Sequence, residues 1–190
     1  MKLFLLFAMV LFVGCSAHSD YMRAGTPPAP ATADAATVVF IRPSGYAGGQ
    51  LMTVLDANGR FLGDSLPKSY FSVKVPPGEH IFVVWGENTG ALRANLVGGK
   101  TYYVEVSTKL GMMSARVHLL ALTPRHENWK ELPEWLKESK PMSPDEAAGQ
   151  AYLAKRHEAA QERIRRAREI LTEYNAEELA ARTILPQDGQ

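Results

Sequence analysis

The residues able to do chemistry are few and scattered. The five histidines are His18, His80, His118, His126 and His157. No two of them form an HxH, HExxH or i,i+4 pair, so their spacing does not point to zinc. His80 follows Glu79 at an expected turn and reads as a surface or capping residue rather than a general base. Asp56, Asn58 and Asp64 carry calcium-type oxygens, but they lack the twelve-residue loop and terminal glutamate of an EF-hand. Asp56 and Asn58 fit turn chemistry instead. Serines are plentiful, yet there is no GxSxG elbow and no ordered Ser/His/Asp set. The expectation is a protein that is not an enzyme, with no catalytic residues, no metal and no cofactor.

One thiol stands out. Cys15 is the single cysteine, so an internal disulfide framework is excluded. It follows Lys2 and the uninterrupted apolar run 3–13, whose eleven residues match a signal-peptide core and are too few to span a bilayer as a helix. Leu11-Phe12-Val13-Gly14-Cys15 resembles the lipobox of bacterial lipoproteins, with Phe12 in place of the usual aliphatic residue. The resemblance implies that residues 1–14 are a signal peptide and that Cys15 becomes a lipidated N-terminus bearing palmitate-type chains. Each buried methylene contributes about 0.8 kcal/mol, so two or more chains anchor stably. Ser16 after the cysteine, by the sorting rules of such lipoproteins, implies the inner leaflet of the outer membrane, facing the periplasm. Residues 16–36 are rich in Ala, Pro, Thr, Ser and Gly and read as a flexible tether. Fully extended, these 21 residues reach at most about 70 Å.

Three surfaces are candidates for binding. Tyr46, Tyr70, Tyr102, Tyr103 and Trp85 would line a sugar or peptide groove if they converged, although strands favour aromatics for packing alone. Arg163, Arg165, Arg166 and Arg168 form a basic cluster, interleaved with Glu158, Glu162, Glu169 and Glu173. The i,i+4 pairs Glu162–Arg166 and Arg165–Glu169 mark it as a self-neutralised helix face rather than a nucleic-acid site. Leu153, His157, Ala160, Ile164, Ala167, Leu171 and Tyr174 recur by alternating steps of four and three, the pattern of a coiled-coil seam. A helix of about 30 residues would be roughly 45 Å long. That exceeds the side of a small sandwich, so the stripe either packs back onto the sandwich or leaves part of its length to pair with another envelope protein or a second copy. Protonation of His157 below its ordinary pKa of about 6.5 would disfavour such pairing.

Positioning these residues requires a sheet framework. Phe71, Val73 and Val75 alternate with Tyr70, Ser72 and Lys74, and Pro76-Pro77-Gly78 ends the run. Ile81-Phe82-Val83-Val84-Trp85 is apolar at every position, so both faces of that strand are expected to be covered. Leu92, Ala94 and Leu96, then Tyr102, Val104 and Val106, alternate in the same way across Gly98-Gly99. Loops this short favour antiparallel neighbours. Strands are also expected at 37–42, 51–56, 60–66 and 114–123, with a hairpin at Asp56-Ala57-Asn58-Gly59. The fold class is mainly β. An antiparallel β-sandwich of about seven or eight strands over 37–123 is followed by a connector, 124–142, with a short helix. Trp129, Leu132, Trp135 and Leu136 should pack on the sandwich. Ser143-Pro144-Asp145-Glu146 starts a long C-terminal amphipathic helix over 143–183, and 184–190 is a tail. The composition, 46% hydrophobic with net charge +1, fits neither a disordered chain nor a polyanion binder.

TVVFIRP, VLDANGRFLGD, YFSVKVPPGEH and GGKTYYVEV, in that order, resemble a family of uncharacterised bacterial envelope lipoproteins. These carry one small β-sandwich domain, similar in style to carboxypeptidase-regulatory-like and PEGA-type modules. The resemblance implies a non-enzymatic binding or scaffolding module of the cell envelope and carries over no functional residue. Its partners are expected to be the membrane, through the N-terminal lipid, and an envelope protein, peptidoglycan or a second copy. The alternative is a small-ligand receptor or hydrolytic enzyme using the 44–49 loop and nearby aromatics.

Overall fold

A computed structural model describes residues 17–43, 51–110 and 115–190. In chain order the strands before the connector are β1 Met22–Ala24, β2 Ala36–Arg42, β3 Met52–Asp56, β4 Phe61–Ser65, β5 Ser69–Val75, β6 Gly78–Trp85, β7 Thr89–Leu96, β8 Thr101–Leu110 and β9 Ala115–Ala121. A 3-10 turn, Glu127–Glu131, then leads into α1 Leu132–Glu138, β10 Lys140–Pro144, α2 Glu146–Lys155, α3 His157–Glu173, α4 Ala176–Ala180 and β11 Thr183–Ile184. Among the described residues no helix is long and apolar enough to cross a membrane.

The chain is mainly β, as the alternation implies, but the sheets differ from the expected seven or eight antiparallel strands. One sheet has six strands in the order β1-β10-β5-β2-β8-β9; the other has five in the order β11-β7-β6-β3-β4. Both are mixed. β10 runs parallel to β5, β2 to β8 and β11 to β7, while the remaining pairs are antiparallel. Short loops misled the antiparallel reading because a tight corner can step between facing sheets as well as close a hairpin. β5 and β6 lie in different sheets, joined by Pro76-Pro77, which has no N–H groups to begin a hairpin ladder. β7 and β8 are likewise in different sheets. At that corner a Cβ on Gly98 would lie 2.1 Å from the Ala33 carbonyl oxygen, and the Gly99 N–H donates to the carbonyls of Thr32 and Ala35.

The two sheets share one core, built from alternate residues such as Phe40, Phe71, Phe82, Val84, Leu92, Tyr102 and Leu119. Phe40 stacks on Phe71 and meets Phe82 edge-on. The outer face of the six-stranded sheet, with Val39, Ile41, Tyr70 and Leu122, is covered by Leu132 and the half-buried Trp129, Trp135 and Leu136, as their spacing predicts. The outer face of the five-stranded sheet, with Leu55, Phe61, Val83 and Ala91, is covered by α2 and α3. The continuous apolar run in β6 is thereby explained: Phe82 and Val84 face the shared core, and Ile81, Val83 and Trp85 face the helices.

The N-terminal segment is not a free tether over its described length. Met22 is buried in the shared core, and β1 pairs with β10. Ser19 Oγ donates to Asp64 Oδ2 at 2.6 Å, while Thr53 Oγ1 donates to Asp64 Oδ1 at 2.7 Å. Burial pushes the Asp64 carboxyl up, against the pull of the two hydroxyls. Tyr21 packs on Phe61 and Tyr152. Composition gave no sign of this because β1 attaches through backbone bonds, one methionine and the Arg23–Asp145 ion pair, none of which leaves a local pattern.

The single long helix expected over 143–183 is also divided. Ser143 and Pro144 belong to β10, and Asp145 caps α2 by accepting from the Ala148 N–H. At Arg156 the chain leaves helical geometry (φ −119°, ψ 29°) before α3 begins. A straight rod would carry one end of the stripe past the sheet, whereas the bend lets Leu153 of α2 and Ile164 of α3 join one cluster. The segment 184–190 is docked as well. Thr101 and Gln190 exchange backbone hydrogen bonds of 2.8 and 3.0 Å, and Arg125 pairs with the buried Asp188 at 2.8 Å.

Candidate binding cleft

The expected partner face of the C-terminal helix is covered by the protein itself. Leu153, Ala160, Ile164 and Ala167 are buried against Leu55, Phe61, Val83 and Ala91, and Leu171 packs at their margin. His157 is exposed. Tyr174 is half-buried beneath the Arg182 guanidinium, 4.3 Å from its ring centre. The seam pattern is real; its occupant is the five-stranded sheet.

The remaining sequence candidates separate in space. Tyr102 lies in the shared core, Tyr70 and Tyr103 lie under the α1 layer, and Trp85 lies beneath α3 with Arg163 over its ring. Tyr70 and Tyr103 share a cavity of about 410 Å³ with residues 27–30 and Leu136, which Tyr102 and Trp85 do not join. Cys15, Tyr46 and the 44–49 loop fall outside the described residues. Asp56 Oδ1 accepts the N–H groups of Asn58 and Arg60, each at 2.9 Å, as the turn reading requires. His80 Nε2 donates to the Pro76 carbonyl at 2.8 Å, since a carbonyl can only accept. His126 Nδ1 accepts the Asn128 N–H and caps the 3-10 turn. His118 Nδ1 faces Arg182 at 3.5 Å. Burial, with Arg182, Lys109 and Arg116 close by, lowers its pKa to about 4 against the opposing pull of Glu178.

The basic cluster splits into two pairs. Arg165 bonds Glu162 and Glu169, and Arg166 bonds Glu169 and Glu173. Arg165–Glu169 is the i,i+4 pair expected from sequence, whereas Glu162 turns to Arg165 rather than Arg166. The other two arginines reach the sheet. Arg163 donates to Thr89 Oγ1 at 3.0 Å, and Arg168 to the Ala57 carbonyl at 3.1 Å.

Arg168 marks a cleft that the sequence did not reveal. α3 covers the middle of the five-stranded sheet but leaves bare the ends of β6 and β7 nearest the 56–59 turn. A cavity of about 520 Å³ opens there, within the range of small-ligand sites, ~300–1,000 Å³. Its floor is the cross-strand pairs Ile81–Arg93 and Glu79–Asn95. The 56–58 turn and Arg168 form one wall; Thr183, Ile184 and Leu185 form the other. That second wall is held firmly. β11 pairs with β7, Arg93 Nε donates to Thr183 Oγ1 at 2.9 Å, and the Leu185 N–H donates to Asp188 Oδ2 at 2.8 Å. Leu185 and Val97 are the exposed large apolar side chains among the described residues.

Neither Arg93 nor Arg168 meets a carboxylate among the described residues. The residues outside that description contain no Asp or Glu. Each guanidinium donates one hydrogen bond to the protein, which orients it, and keeps further N–H groups for a ligand. Chemically the cleft offers aliphatic surface, two oriented cations, the carboxylates of Glu79 and Asp56, the latter engaged by the Asn58 and Arg60 N–H groups, the His80 ring, and the amides of Asn58 and Asn95.

No family model, curated protein or solved structure matches this chain.

Proposed function

We propose that this protein is a lipid-anchored, non-enzymatic binding module of the bacterial envelope, of the kind its sequence resembles, and that it binds through the cleft beside Arg93 and Arg168. The observation that carries this reading is the cleft itself: a preformed, partly aliphatic cavity flanked by two guanidiniums without carboxylate partners.

Anchoring at Cys15 fits the geometry. Ala17 already packs against the core, so Ser16 alone separates it from the lipidated residue. Two residues reach at most about 7 Å, which would seat the Ser19–Asp64 end of the domain at the membrane. Asp64 pairs with Thr53 near the start of β3, whereas Asp56 ends that strand in the cleft. Three residues of strand advance roughly 10 Å, so the cleft would open away from the bilayer, towards an envelope partner.

The test is photo-crosslinking in intact cells from Leu185→p-benzoylphenylalanine, with Lys137→p-benzoylphenylalanine on the opposite helical layer as control. A discrete adduct from position 185 and none from 137 supports the reading. Equal or absent adducts at both positions contradict it.

A further inference from the structure

The geometry points to a definite ligand class for this cleft: an acidic segment of a protein partner, with a carboxylate side chain next to an aliphatic one. This deepens the reading above and rests on it. Arg93 and Arg168 approach from the floor and from the α3 wall, and each is fixed by one hydrogen bond to the protein. A guanidinium with free N–H groups matches a carboxylate in shape as well as charge, and the charge-assisted bond is about twice as strong as a neutral one.

The rest of the lining selects a peptide. Ile81 and Leu185 offer aliphatic contact for a neighbouring side chain, whereas Ile184 is buried in the core behind them. Asn58 and Asn95 offer amides that both donate and accept, the complement of a peptide backbone. Glu79 is exposed at the end of the floor and, among the described residues, has no cationic partner. It sits where it would accept a ligand N–H and would repel a second acid. The lining contains no tyrosine, tryptophan or phenylalanine, and its one ring, His80, is stacked on Phe82 and bonded to the Pro76 carbonyl, so the large apolar faces on which a sugar ring would stack are lacking. That separates a protein segment from a glycan strand.

The experiment uses the full chain purified in detergent and fluorescent, end-blocked peptides. One carries Leu-Glu-Leu at its centre, a second Leu-Gln-Leu, and a third probe is a muropeptide fragment. The expected result is that the glutamate peptide binds about tenfold or more tightly than its glutamine counterpart, the scale of one hydrogen bond to a charged group. Arg93→Gln and Arg168→Gln should each remove most of that difference, and raised salt should weaken the glutamate peptide selectively. Thermal melting of both variants checks that the fold is intact; Asn95→Ala, at an exposed position, gives an independent third variant in which both peptides weaken together. Equal binding of the two peptides, binding of neither, or preference for the muropeptide overturns the ligand assignment. If position 185 still crosslinks a partner in cells when the glutamate peptide fails, the binding module stands and only its ligand class falls.

Discussion

Gly149→Ala sets two well-understood effects against each other. Gly149 lies inside α2, where alanine is favoured over glycine by about 1 kcal/mol. In this structure, however, a Cβ at that position would lie 2.2 Å from Phe61 Cδ1 and 2.3 Å from Cε1. Phe61 is fully buried, with Tyr21 against its edge and Leu55 and Leu153 in the same cluster, so its ring cannot simply turn away. Moving the helix would strain Gln150, whose Oε1 accepts the Phe61 N–H at 2.9 Å and whose Nε2 donates to the Gly59 carbonyl at 3.0 Å. Overpacking of this kind costs about 1–3 kcal/mol. A contact so far below van der Waals distance belongs in the upper part of that range. After the helical gain the net destabilisation is about 1–2 kcal/mol, or about 2–8 °C in Tm for a chain of this size. Scanning calorimetry of the purified protein measures it. The double variant with Phe61→Leu should recover part of the loss, with a coupling of about 1 kcal/mol between the two sites. A Tm that stays level or rises on Gly149→Ala would refute close docking of α2 on β4.

Cys15→Ser should move the protein from the membrane pellet to the soluble fraction; an unchanged distribution would contradict the anchor. Ser19→Ala removes one donor from the buried Asp64 carboxylate and should cost about 1–3 kcal/mol, seen as a lower urea midpoint and faster proteolysis within 20–30. His118 has a folded pKa of about 4 against about 6.5 unfolded. Between those values the unfolded chain binds a proton that the folded chain refuses, so stability should fall as pH drops through that window and level off below it. Partial exposure of the ring screens the effect to about 1–2 kcal/mol. The urea midpoint should therefore be lower at pH 4.5 than at pH 7.5, and His118→Gln should reduce that difference; the variant also separates His118 from Asp64, whose raised pKa acts with the opposite sign.

Local pattern carried much of the fold. The unbroken apolar run 81–85 implied cover on both faces, and the structure supplies the shared core on one side and α3 on the other. The Trp129–Leu136 spacing implied a helical layer on the sheet, which α1 and the preceding 3-10 turn provide. Sheet membership was not legible. β2 and β8 pair in parallel because residues 43–100 form the crossover and build most of the other sheet, a long-range outcome that no short window encodes. β1 was hidden because its pairing with β10 is made by backbone groups. The stripe from Leu153 to Tyr174 was visible, but periodicity does not say whether a partner or the protein's own sheet covers it. The cleft was hidden for a related reason. Arg93 sits on a half-exposed strand and Arg168 in a run of arginines balanced by glutamates, and only the fold brings the two to one cavity.

The accessibility of the cleft in living cells tests the central claim most directly. The chain's single cysteine is Cys15, which lipidation would consume, so Ala57→Cys introduces a unique reactive thiol in the cleft wall without removing a group assigned to the ligand. Glu158→Cys places one on an exposed position of α3 as reference. The two labelling rates by a small maleimide in the purified protein set the reference ratio. In intact cells position 57 should label several-fold more slowly, relative to position 158, than that ratio, because a partner occupies the cleft. An unchanged ratio in cells would mean an empty cleft and would contradict the account.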